Sequence, residues 1–238
     1  MGTNRWSLLV TIVAALLVSA CTAIPQQQAV KTVHVCAAAD CGSTDQAYST
    51  VQLLAGFRQL LKENEGEPVT ICNSDPRTRT CESAGFCYFV LGGILPGNGC
   101  AKSIVFNEIS SSPNSDQFSL KAKMPLTFIW TPVSCDTMTG TVSGHSPDEI
   151  SIEFQPYYCN WMKVGPMTAT FNLAVDSLDL SRGQVGVYVS HAVKGGGNGR
   201  GSGYVVLQFP KSMPDGGNWL TGQPVLPVAG KQLTRDVH

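Results

Sequence analysis

Charge is scarce in this 238-residue chain: Lys and Arg number 16, Asp and Glu 17, and the four charged types make up 14% of the residues. So even a balance excludes the marked basic excess that nucleic-acid binding requires, and no nucleic-acid partner is expected. The apolar stretch from Leu8 to Val18 falls short of the ~20 residues that span a bilayer, which favours a removable export signal over a retained spanning anchor there. No cysteine pair is spaced C-x-x-C and no histidine recurs at zinc-ligand spacing, so no metal is expected. No G-x-S-x-G elbow occurs, and the glycine-rich segment Gly195 to Gly203 satisfies neither G-x-G-x-x-G nor the P-loop pattern. No cofactor is expected either.

Glycine, proline and cysteine are present in quantity, at 24, 14 and nine residues. That composition suits turn-rich β structure better than a helical bundle.

The N-terminus reads as an export signal: Arg5 precedes the apolar stretch, and the small residues Ser19 and Ala20 follow it before Cys21. Val18-Ser19-Ala20-Cys21 resembles the lipobox of bacterial lipoproteins. The resemblance covers the N-terminus alone. It implies cleavage before Cys21, a diacylglyceryl thioether on its sulfur and an acyl chain on the new amine. Two or three such chains would hold the protein on a membrane, since each buried methylene is worth ~0.8 kcal/mol. Thr22, where an Asp would signal inner-membrane retention, is similar to the outer-membrane sorting pattern. The alternative is ordinary cleavage after Ala20 or Ala23, giving a secreted or periplasmic protein.

With Cys21 set aside, eight cysteines remain: Cys36, Cys41, Cys72, Cys81, Cys87, Cys100, Cys135 and Cys159. An even number in an exported chain predicts disulfides. Cleavage after Ala23 leaves the same eight. Short separations favour local bridges, Cys36 to Cys41, Cys135 to Cys159 and two among the middle four.

Residues 1–20 are thus expected as signal peptide, 21–31 as lipidated cysteine and polar tether, 32–213 as one β-rich domain and 214–238 as an irregular tail. Val33 and Val35 predict a first strand ending at Cys36. Ser43-x-x-Gln46 has the form of a capping box, and Ala47, Val51, Leu54, Phe57 and Leu61 follow at helical spacing, predicting a helix over about Asp45 to Asn64 that stops at Gly66. Phe86 to Leu95 reads as a buried strand, Pro96 to Gly99 as a turn and Ser103 to Ile109 as the returning arm of a hairpin. Alternation then recurs at Leu126 to Trp130, Ile150 to Phe154, Ala169 to Val175, Val185 to Val189 and Val205 to Phe209. The fold class expected is mainly β, a disulfide-stapled β-sandwich or barrel-like sheet pair with one packed N-terminal helix.

Four residues stand out as candidate ligand-binding groups. Tyr157, Tyr158 and Trp161 gather aromatic rings around Cys159, as a glycan-stacking platform would. Against this, the rings could simply pack on the Cys159 disulfide. Arg200, in the glycine segment, could close on an anionic ligand if Gly195 to Gly203 forms a mobile hairpin loop. Gly144 to Asp148 holds His145, Ser146 and Asp148 together, but adjacency in sequence is not triad geometry and the segment reads as a turn. Asp176 and Asp179 read as loop carboxylates after a strand, and His34, His145, His191 and His238 are scattered. The expected function is a lipid-anchored lipoprotein that binds or scaffolds another envelope component, protein or glycan, without catalysis. The alternatives are an extracytoplasmic hydrolase with a site assembled from distant loops, or a glycan-binding module.

Overall fold

The computed structural model describes residues 30–36, 44–91, 97–111, 117–128, 131–146, 148–159, 166–179, 182–195 and 198–211. Eight strands close into an antiparallel barrel: β3 (Pro68–Asn73), β7 (Ser103–Ser111), β8 (Phe118–Lys123), β11 (Met138–Ser146), β12 (Glu149–Tyr157), β13 (Met167–Asp179), β14 (Gln184–Lys194) and β15 (Asn198–Gln208). Each pairs with the next in that order, and β15 closes on β3 through Val205↔Asn73 to Gln208↔Thr70. Closure leaves these eight strands without a free edge along the paired stretch. Between β3 and β7 the chain makes β4 (Ser83–Ala84), β5 (Phe86–Leu91) and β6 (Gly97–Ala101); between β8 and β11 it makes β9 (Leu126–Phe128) and β10 (Thr131–Val133). β5 pairs with the first residues of β15, and β6, β9 and β10 extend that branch away from the barrel.

Alternation drives this arrangement. Phe118, Leu120 and Ala122 of β8 are buried while Ser119 and Lys123 are exposed, and Ile150, Ile152 and Phe154 of β12 are buried beside exposed Glu153 and Gln155. A period of two places these apolar residues on the inner face. The outer face carries Ser, Thr, Asn, Glu and Lys, the reverse of the outward apolar band of membrane-spanning barrels, so this wall faces water.

Among the described residues one helix, α1 (Thr50–Glu63), follows the hairpin β1 (Val30–Cys36) and β2 (Thr44–Ser49). Leu53, Leu54, Phe57, Leu60 and Leu61 are buried in the same core as the barrel interior. Each such side chain contributes about 2 kcal/mol on burial. The helix lies at one mouth. Its first residue, Thr50, donates to the Ser146 carbonyl at 3.3 Å, and Gly66, just past its end, donates its N–H to Phe106 O at 2.9 Å. Asn64, 1% exposed, donates from its amide to Leu60 O and accepts from the Lys211 N–H, tying the helix end to the chain leaving β15.

The helix begins five residues later than the sequence pattern suggests. Asp45 to Ser49 belong to β2, paired with β1, and the capping box is Ser49 with Gln52. Pairing with β1 satisfies the backbone of Asp45 to Ser49 as strand, so the periodicity of Ala47 is incidental. Ser43 lies outside the described residues. β1 starts at Val30, within the expected tether, and its last residues pair in parallel with Ser177 to Asp179.

Three other expectations change. Gly97 to Gly99 form strand β6, not a turn, and β6 is the partner of β5; β7 pairs with β3 and β8. Asp176 and Asp179 lie within β13, which runs on past a bulge between Val175 and Ser177. Most of the described glycine segment is strand: Gly199 to Gly203 pair with Val193 to Val189 in β14, while Gly196 and Gly197 lie outside the described residues.

Disulfides Cys72–Cys81, Cys87–Cys100 and Cys135–Cys159 are present. The middle four cysteines thus pair with sequence neighbours, as their spacing suggests. Cys36 is also disulfide-bonded; Cys41 lies outside the described residues.

Candidate functional site

A barrel offers two places for chemistry, its interior and its wall. The interior is occupied by its own side chains. A cavity of about 70 Å³ remains, lined wholly by apolar groups including Phe57 of the helix, Phe86, Met124, Phe154 and Phe171. Ligand sites for drug-sized molecules run to roughly 300–1,000 Å³, and a small apolar cavity stays dry. Eight strands enclose a space just wide enough for side chains, and large residues fill it here.

Among the described residues, one histidine is buried with this interior. His191, 5% exposed, stacks on Phe171 with ring centroids 5.7 Å apart and meets Phe86 edge-on at 5.7 Å. Burial pushes its pKa below the ordinary 6.5, so the ring is neutral at physiological pH. Gly201, its partner on β15, leaves it room: a Cβ there would lie 2.4 Å from the imidazole Cε1. Glycine within a strand often marks such a close approach.

The wall carries a polar cluster around Tyr204. The bulge in β13 turns Asp176 and Ser177 to the same outer face, which is how a bulge re-aims side chains. The Tyr204 hydroxyl donates to Asp176 Oδ2 at 3.2 Å and lies 3.1 Å from Ser177 Oγ. Arg79, whose backbone sits at φ +53° in the loop clasped by Cys72–Cys81, donates from Nε to the same Asp176 oxygen at 3.0 Å. Gly186 makes the arrangement possible, since a Cβ there would be 2.1 Å from the Tyr204 hydroxyl. Burial first, and the neighbouring Asp176 carboxylate, push the Tyr204 pKa up to about 12. Tyr188 packs edge-on against Tyr204 at 5.0 Å and is 46% exposed.

These groups do not make a catalytic set. His191 points inward, while Asp176 and Tyr204 point outward across the same sheet, so these three do not meet. Tyr204 is held protonated and serves as a hydrogen-bond donor. Among the described residues no three His, Cys, Asp or Glu side chains gather as metal ligands.

An open cleft of about 590 Å³ on the β7–β8 wall is lined by Glu65, Asn107, Glu108, Lys121, Lys123 and Thr137. Its charges are largely paired internally, Lys121 with Glu108 at 2.6 Å and Glu65 with Lys62 at 2.7 Å. The Lys62 hydrogen bond, with the Ile109 N–H, lowers the Glu65 pKa. It reads as a solvated ion-pair set.

The residues singled out from sequence are dispersed. Tyr157 is 7% exposed and belongs to the core, so its ring is closed to a surface ligand; Tyr158 is 55% exposed; Trp161 lies outside the described residues. Cys159 packs against that same core. Arg200 is exposed on β15, held in a strand and not on a closing loop. Gly144 to Ser146 end β11 and lead into the turn to β12, with Ser146 Oγ donating to Asp148 at 3.2 Å; Pro147 lies outside the described residues. His34 pairs with Asp45 at 3.1 Å and His145 is exposed. Tyr188, Tyr204 and Arg79 escaped notice. The visible signal is two tyrosines at outward positions of β14 and β15, each two residues from a serine, Ser190 and Ser202.

Neither a family model, nor a curated protein, nor a solved structure matches this chain.

Proposed function

We propose that this protein is an exported lipoprotein, anchored through Cys21, whose barrel binds or scaffolds another component of the cell envelope through its outer wall. The observation that carries this reading is a closed barrel whose interior is taken up by its own side chains, with bridges Cys72–Cys81, Cys87–Cys100 and Cys135–Cys159. Structural disulfides persist in oxidising compartments outside the cytoplasm, which supports export. A filled interior leaves recognition to the outside. The lipobox-like Val18 to Cys21 supports a membrane address, and Thr22, similar to the outer-membrane sorting pattern, supports the outer membrane. With β1 beginning at Val30, a tether of about eight residues reaches at most ~29 Å, so the partner would lie near that membrane.

Two measurements test the reading. Detergent-phase partitioning of wild type against Cys21→Ala should move the variant to the aqueous phase, and equal partitioning would overturn the anchor. Photo-crosslinkers placed at Tyr188 and Arg200 in intact cells should capture an envelope component that a crosslinker on the β7–β8 wall, at Lys123, does not.

A further inference from the structure

We propose that the outer wall of strands β11 to β15 is a saccharide-binding face, with Ser151 and Asn172 as its floor and Tyr188 as its stacking ring. This rests on the reading that the barrel binds an envelope component through its wall.

The register places five small polar residues in one transverse line. Ser143 of β11 faces Ser151 of β12, Ser151 faces Asn172 of β13, Asn172 faces Ser190 of β14 and Ser190 faces Ser202 of β15. All five alternate with core residues, so all five point to the outer face. At about 4.8 Å per strand the line is roughly 19 Å long. Ser190 and Ser202 are exposed, Ser143 and Asn172 half-buried, and Ser151 is 1% exposed.

Two atoms in the middle of this line lack partners. Ser151 Oγ and Asn172 Oδ1 are buried and make no hydrogen bond. They face each other across one strand pair. A buried polar atom left unsatisfied costs free energy that natural proteins rarely leave uncompensated, and each such atom asks for an explanation. Asn172 Oδ1 needs a donor, whereas the Ser151 hydroxyl both donates and accepts. Both atoms lie just beneath the surface of the wall, so a ligand hydroxyl that serves both has to enter between the neighbouring side chains.

The surroundings narrow the ligand. Directly beside the line, two residues along their strands, Tyr188 and Tyr204 form an edge-on pair with the Tyr188 ring 46% exposed. A flat, half-exposed ring with an apolar face and polar neighbours suits the face of a sugar ring. On the other side run Thr141, Glu153, Thr170, Ala192 and Arg200, again in register. The central line is uncharged, so neither a phosphate nor a polybasic chain finds a counter-charge there. It is also too polar for the apolar centre of a protein interface. Dense hydroxyl and amide groups next to one ring match the donor and acceptor density of a saccharide. Arg200 would add selectivity for an acidic sugar.

The test is calorimetric titration of the full-length, detergent-solubilised protein with chitohexaose, cellohexaose and hexagalacturonate at millimolar concentrations. At least one should bind, and Tyr188→Ala and Asn172→Ala should each weaken it about tenfold. Tyr188→Phe should restore binding, because the ring and not the hydroxyl stacks, and Tyr158→Ala should leave it unchanged. Stronger binding of hexagalacturonate that is lost in Arg200→Gln would place the acidic sugar at Arg200. Binding by none of the three, or binding that survives both Tyr188→Ala and Asn172→Ala, overturns the proposal. So does a crystal structure in which ordered water alone satisfies Ser151 and Asn172, accompanied by no binding. Crosslinking at Tyr188 that captures only a protein, with no saccharide bound, overturns this inference and leaves the envelope-binding reading standing. Saccharide binding by a protein whose membrane partitioning ignores Cys21 would do the reverse.

Discussion

The imidazole of His191 lies over Gly201 so closely that a methyl group at Gly201 would sit 2.4 Å from Cε1. The ring is clamped on its other sides by Phe171 and Phe86, so it cannot retreat. Gly201→Ala should therefore overpack the barrel and cost about 1–3 kcal/mol in urea unfolding. Because the clash is with one ring, His191→Ala should relieve it. A double-mutant cycle that returns purely additive losses would refute this coupling.

The same burial makes stability depend on acidity. Desolvation lowers the His191 pKa in the folded state, while the unfolded chain titrates near 6.5, so between those values the unfolded state holds more protons. Stability from this group is complete above pH 6.5 and declines as pH falls toward the folded value. His191→Phe should flatten the unfolding midpoint between pH 7 and 5 relative to wild type. An unchanged slope would show that other groups govern the acid limb.

Strand alternation carried most of the fold in plain view. Ile150 to Phe154 and Val185 to Val189 read as strands because one face is core and the other water. What escaped was decided by distant partners. Gly195 to Gly203 looks like a loop because glycine is read as freedom, yet Gly201 is there for an imidazole ten residues away. Ser103 to Ile109 was paired with its sequence neighbour, whereas β7 finds β3 and β8, a choice set by closure of the barrel. The helix start slipped because two capping boxes lie six residues apart, and only β1 pairing with β2 tells them apart. The line from Ser143 to Ser202 was invisible, since it exists only in the register between strands.

Gly186 and Tyr204 offer a second test on the outside. The Tyr204 hydroxyl fills the space a Cβ at Gly186 would need, and burial raises its pKa from 10.0 to about 12. A raised folded pKa contributes stability that is full below pH 10 and is lost as pH climbs toward 12. Ultraviolet titration should show a last tyrosine step near 12, beyond that of Tyr48, whose pKa burial also raises, and Tyr204→Phe should abolish that last step. Gly186→Ala should displace the hydroxyl from Asp176 and Ser177 and bring the step earlier. A step near 12 that persists in Tyr204→Phe would assign the shift elsewhere.

The disulfides allow stability and wall geometry to be separated. Cys135–Cys159 spans 24 residues and brackets the β11–β12 hairpin, so replacing both with serine should cost about 3.5 kcal/mol by loop entropy. Cys72–Cys81 spans nine, for which the same relation gives about 2.5 kcal/mol. The two losses are of the same order, but their local effects should differ. Cys72 packs with Tyr204 and Val206, and its loop carries Arg79 to Asp176. Opening it removes cover from Tyr204 and takes away Arg79, effects that pull the tyrosine pKa in opposite directions. Burial is the largest cause of the shift, so exposure should win and the late ionisation should move from about 12 down toward 10. In the Cys135→Ser/Cys159→Ser protein the late step should stay where it is. If both double variants shift Tyr204 alike, the loop does not hold the outer wall and the two bridges differ only in length.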